Sequence, residues 1–104
     1  MTMTQIGGRE VHVDTEGFLT DPGEWNEDLA RVLGQNIGLE LSGRHFDVIR
    51  FARRDHGEMG ETPTLRRLAQ AGGFTTKEMF QLFPRKPAKK MAYVSGLPKP
   101  VGCV

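Results

Sequence analysis

The chain has 104 residues, of which 38% are hydrophobic and 26% charged, with a formal net charge of +1. That length is one domain's worth, it can close one modest core, and the composition excludes global disorder. No apolar run approaches the roughly 20 residues that cross a bilayer, MTMTQIGGREV has no basic stretch followed by an apolar one, and a single cysteine excludes an internal disulfide or a cysteine-cluster metal site, so the expected setting is the reducing cytoplasm.

Residues 4–13 predict a small β-hairpin. Gly7-Gly8 suits the positive φ angles of a tight turn, and Val11 and Val13 alternate with His12 after it. Asp14–Gly17 then turns the chain before Phe18-Leu19. A first helix is predicted from Asp21 as cap, with Pro22 at its first position and Glu24 three residues after the cap. Trp25, Leu29, Val32 and Leu33 follow as one apolar stripe, and Gly34 to Gly38 stops it. A second helix starts near Ser42, with His45, Val48, Ile49 and Ala52 on one face and Phe46 beside it, and ends at Gly57 to Gly60. Thr62-Pro63 predicts the start of a third helix, striped by Leu65, Leu68 and Ala69 and ended by Gly72-Gly73. Thr75 and Glu78 have capping-box spacing for a fourth, whose apolar bulk is Phe80, Leu82 and Phe83 before Pro84. A brief helix follows Pro87. The expected fold is mainly α: a small helical bundle over residues 1–94 with an N-terminal β-hairpin, and a flexible C-terminal arm over 95–104. Trp25, Leu29, Val32, Leu33, Val48, Ile49, Ala52, Leu65, Leu68, Phe80, Leu82 and Phe83 are the expected core.

The last ten residues differ in kind. Gly96, Pro98, Pro100 and Gly102 exclude a helix, and Pro98-Lys99-Pro100 favours an extended path. Charge is uneven too: residues 1–30 hold seven acids and one base, whereas 79–104 hold Arg85, Lys86, Lys89, Lys90 and Lys99 and no acidic side chain. A basic end fits an anionic partner. Cys103, second from the end, is the sharpest chemical feature. A thiol on a Pro/Gly arm is presented outward, which transfer needs and burial does not. The thiolate is the nucleophile, and nearby Lys or Arg favours it. The chemistry that follows is thiol–disulfide or sulfane-sulfur transfer.

The tail SGLPKPVGCV, with QLFPRKPAKK upstream, resembles the C-terminal signature of the DsrC/TusE family of sulfur-carrier proteins. Asp14–Phe18, Trp25, Ile37 to Leu41, His45, Val48 to Arg53 and Pro63 to Leu68 also fall where that family has similar residues. The resemblance implies a small helical domain with an N-terminal hairpin and a mobile arm. It also implies that Cys103 accepts a persulfide from one partner and passes it to another, acting as a covalent carrier with no organic cofactor and no metal. Lys86 stands where the family usually has glycine, and Phe46 where it usually has tryptophan. Members linked to sulfite reductase carry a second cysteine eleven residues before the penultimate one; here that residue is Ala92. The single-cysteine, TusE-like branch is therefore favoured. It implies a relay toward 2-thiolation of tRNA wobble uridine, between a DsrE-type (TusBCD-like) sulfur donor complex and a thiouridylase acceptor; the alternative within the family is a sulfite reductase-associated role.

A different class of reading is a helix-turn-helix DNA-binding protein. Thr62–Ala71, Gly72-Gly73-Phe74 and Thr75–Phe83 have the right lengths, with Thr76, Lys77 and Gln81 toward the groove and Arg66 and Arg67 near phosphates. Its recognition helix holds one base and one acid, which is a poor electrostatic footprint. Arg50, Arg53 and Arg54 fit either an anion-binding groove or a solvated helix face. His12, His45 and His56 lack metal-ligand spacing, and Asp55, Glu58 and Glu61 read as a solvated loop.

Overall fold

A computed structural model describes residues 2–100. Strand β1 (Thr2–Ile6) pairs antiparallel with β2 (Arg9–Val13), with Ile6 opposite Arg9. Gly7 and Gly8 close the hairpin at φ of +60° and +80°, the mirror-image turn that suits the strand twist. Val11 and Val13 are buried while His12 faces out. A carboxylate oxygen of Asp14 then accepts from the backbone N–H groups of Glu16 and Phe18. That turn drives Phe18 and Leu19 into the core, and Leu19 bridges back to Val13.

The first predicted helix is two pieces. Asp21 caps a single 3-10 turn, Pro22–Glu24, and Trp25 is extended. Asn26 then caps α1 (Glu27–Asn36), its side chain accepting from Leu29 N–H at 2.7 Å. Two strong caps five residues apart compete, and the break frees Trp25 to reach another helix. Helix α2 (Gly43–Met59) begins at Ser42 as expected and ends at Gly60 with φ of +77°. His45 completes the capping box: its Nδ1 accepts from Ser42 N–H at 3.0 Å, and its Nε2 lies 2.7 Å from the Leu82 carbonyl. Helix α3 (Leu65–Gly72) starts two residues later than predicted, because Thr64 is the cap while Thr62 bonds elsewhere. Helix α4 (Thr76–Leu82) is capped by Thr75, but Glu78 does not close a capping box; its carboxylate takes Arg44 of α2 at 2.7 and 2.9 Å. Helix α5 (Pro87–Val94) follows two residues with positive φ, Arg85 and Lys86.

The core gathers Val11, Leu19, Leu29, Leu33, Val48, Ile49, Ala52, Leu68, Met79, Phe83, Met91 and Val94 from the hairpin and all five helices. Phe80 corrects the sequence reading: it is 49% exposed. Met79 and Phe83, four apart, own the inward stripe of α4, and Phe80 is rotated off it by one residue. Val32 is half-buried, and Trp25, Leu65 and Leu82 pack at the edge of the core. Asp55 also departs from expectation. It lies buried on α2, bonded to Arg67 of α3 at 2.8 Å, so it ties two helices together and occupies a base assigned to phosphate contact in the DNA-binding reading. No helix among the described residues is long and apolar enough to cross a membrane.

Candidate functional site at the root of the C-terminal segment

The segment that leads to Cys103 starts where α5 stops. Gly96 takes φ of +68°, its N–H bonds to the Tyr93 carbonyl at 3.4 Å, and Leu97 N–H bonds to the Ala92 carbonyl at 3.1 Å. These are the two bonds of a Schellman motif, which satisfies carbonyls the helix end would leave bare. The remaining carbonyls are taken by side chains from distant elements. Trp25 Nε1–H donates to Val94 O at 2.8 Å. Arg53 of α2 donates to Ser95 O at 2.8 Å and to Pro22 O at 2.9 Å, with its guanidinium 4.2 Å from the Trp25 ring centroid.

Glycine at 96 is required twice over. A side chain there would adopt a left-handed backbone, and its Cβ would lie 2.5 Å from Trp25 Cδ1. Leu97 is fully buried, Thr62 Oγ1–H donates to Pro98 O at 2.7 Å, and Pro100 is buried. Lys99 Nζ then reaches both carboxylate oxygens of Glu16, at 3.2 and 3.3 Å, and Lys89 approaches the same carboxylate at 3.6 Å. Ser95–Pro100, the first part of the expected arm, is thus laid on the domain. Cys103 itself lies outside the described residues.

Arg53 belongs to this site; its two neighbours in the sequence reading do not. Arg50 bonds Glu27 at 3.1 Å and sits over Phe46, and Arg54 sits over Phe51. Burial pushes the Arg53 guanidinium below its ordinary value, yet arginine keeps its proton in proteins. A half-buried cation is therefore fixed at the carbonyl end of α5, where the helix dipole favours positive charge. Ala92, where the resemblance expects a second cysteine in sulfite reductase-linked members, is fully buried on α5.

Beside the root lies an open groove of about 370 Å³ lined by Glu16, Phe18, Ile37, Lys86, Lys89, Lys90 and Tyr93. Of the tail lysines, Lys89 and Lys99 share Glu16, and Lys90 bonds to the Pro84 carbonyl. Sequence reasoning missed Trp25, Arg53 and Thr62 as the residues that hold the tail. The signal available was local: glycine then leucine immediately after a helix spells a Schellman end. Nothing local says which side chains meet it.

Comparison with known proteins gives the same picture. A family model described as DsrC like protein matches residues 5–104. The sulfurtransferase TusE of Escherichia coli strain K12 is 39% identical over 104 residues, spanning 93% of this chain and 95% of its own. The sulfurtransferase TusE of Salmonella typhimurium is 38% identical over the same shares. Among solved structures, DsrC of Allochromatium vinosum superposes with a TM-score of 0.84 at 35% identity, covering 98% of this chain and 97% of that one. The oxidized gamma-subunit of the dissimilatory sulfite reductase from Archaeoglobus fulgidus gives a TM-score of 0.81 at 30% identity, covering 99% and 100%. The mainly α fold with its N-terminal hairpin, the tail signature and these matches agree: the chain belongs to the DsrC-like family, whose members serve as sulfur carriers in sulfur relays.

Proposed function

We propose that Cys103 is the carrier atom, accepting a sulfane sulfur from one cytoplasmic protein and donating it to the next. The observation that supports this most directly is the division of labour in the tail. Gly96, Leu97, Pro98 and Lys99 are used for anchoring, and the chain's single cysteine is placed three residues beyond Pro100. The step is an exchange. The Cys103 thiolate attacks the outer sulfur of a donor persulfide; the new S–S bond forms on Cys103, the donor's S–S bond breaks, and the donor leaves as a thiolate. The sulfane sulfur moves with its oxidation state unchanged, so no oxidant is needed. A persulfide is more acidic than a thiol and is anionic at neutral pH, which a basic surround stabilises by the same charge argument that favours a thiolate.

Ala92 favours the TusE-like role, with a DsrE-type donor complex and a thiouridylase as acceptor in tRNA 2-thiolation, because one thiol cannot close an intramolecular disulfide or trisulfide. The sulfite reductase-associated reading rests on the fold shared with the gamma-subunit structure and lacks that second thiol. The test is onward transfer. Protein loaded on Cys103 with labelled sulfur should lose it stoichiometrically to a thiouridylase acceptor and return to the free thiol. Loaded protein that keeps its label in the presence of acceptor would contradict the relay.

A further inference from the structure

Two observations locate where a partner must sit, given the carrier reading above. The first is reach. Trp25, Arg53 and Thr62 hold the carbonyls of Val94, Ser95 and Pro98. With Ser95–Pro100 on the domain, Cys103 is three residues past the last anchored one, and three extended residues span at most about 10 Å. A partner's reacting sulfur must therefore come to the rim of this domain, beside Pro100. The second is what that rim offers. Lys99, the residue before Pro100, is tied to Glu16, and Glu16 lines the groove together with the apolar Phe18, Ile37 and Tyr93. Lys86, Lys89 and Lys90 line it too, and Glu16 is the sole acid among the lining residues.

We infer that this groove is the docking surface for the sulfur-donating protein, and that the donor presents an apolar side chain flanked by carboxylates to it. The half-buried Ile37 and Tyr93 supply apolar area to exclude water, and a lining dominated by lysine selects for acidic surface and speeds encounter. The Glu16 carboxylate holds one rim lysine, Lys89, and also takes Lys99, which joins the groove to the anchored tail.

The test separates docking from sulfur chemistry. Cys103 is loaded either with inorganic polysulfide, which needs no docking, or with a persulfide-loaded DsrE-type donor complex. Ile37→Glu places a charge among the groove's apolar lining, and Lys86→Glu reverses charge at an exposed lining position. Lys77→Glu, at an exposed position of α4, is the control of equal charge change. Both groove variants should load with polysulfide as the wild type does. Transfer from the protein donor should fall by about tenfold or more at low donor concentration, with the rate at saturating donor retained and the Lys86→Glu effect shrinking at high salt. Wild-type transfer rates in both groove variants, or an equal loss in Lys77→Glu, would overturn the assignment of the groove while leaving the carrier reading intact. Wild-type protein that takes no sulfur on Cys103 from polysulfide would overturn the carrier reading and this one with it.

Discussion

Lys86 shows how one backbone angle explains a sequence oddity. It stands where the family usually has glycine, and its φ of +49° and ψ of 58° are left-handed. A side chain there crowds the following carbonyl, at a cost of roughly 1–2 kcal/mol that glycine avoids. Its neighbour Arg85 is also left-handed, at φ of +59°. The pair makes the turn between Pro84 and Pro87, which no helix can bridge. Lys86→Gly should therefore stabilise the fold by about 1 kcal/mol, after the greater freedom of glycine in the unfolded chain offsets part of the relief. The urea midpoint measures it; an unchanged or lowered midpoint would show that the lysine is not strained. Gly96 is the opposite case, a glycine kept because Trp25 fills the space a Cβ would take. The tail motif was legible as a motif, while Cys103 as its chemical end is proposed and lies outside the described residues. That its first half is a helix cap was legible only in part, since the glycine–leucine pair signals the cap while Trp25 lies about seventy positions away in the chain.

At the scale of elements, four helices and the hairpin were legible from apolar spacing, caps and turns, and a fifth helix from Pro87; apart from the exposed Phe80, the errors lie at starts. Asp21 and Asn26 both have cap chemistry, as do Thr62 and Thr64. Local rules cannot choose between them, because the choice is made by tertiary partners: Trp25 is drawn to Val94 O and Thr62 to Pro98 O. The same holds for Glu78, which spacing assigned to its own helix cap and the fold gives to Arg44. That pairing has a consequence for acid stability. Hydrogen bonds from Arg44 hold the Glu78 carboxyl below its ordinary value, so the folded state gives up this charge at lower pH than the unfolded chain does. The contribution is present above the unfolded value of about 4.3 and is lost as pH falls through the lowered folded value. Glu78→Gln should thus narrow the stability difference between about pH 6 and pH 3 relative to the wild type. Urea titrations at the two pH values measure it, and a wild-type pH dependence in the variant would show that the α2–α4 pair does not contribute.

The whole molecule reads as a small scaffold built to hold a short tether. The turn after the hairpin supplies Glu16, the break before α1 supplies Trp25, α2 supplies Arg53, and the stretch before α3 supplies Thr62. Four separate stretches of chain converge on Val94–Lys99, which accounts for a family resemblance that spans the chain rather than the tail alone. One thiol with no second cysteine at position 92 cannot close an intramolecular bridge, so the transfer proposed for Cys103 runs between chains. The most direct measurement is intact mass after exposure of the full chain to a cysteine desulfurase and cysteine. The expected result is a gain of one sulfur, about 32 Da, mapped to Cys103 and removed by reductant. The same gain in Cys103→Ser, or no gain in the wild type, would contradict the assignment of Cys103 as the carrier atom.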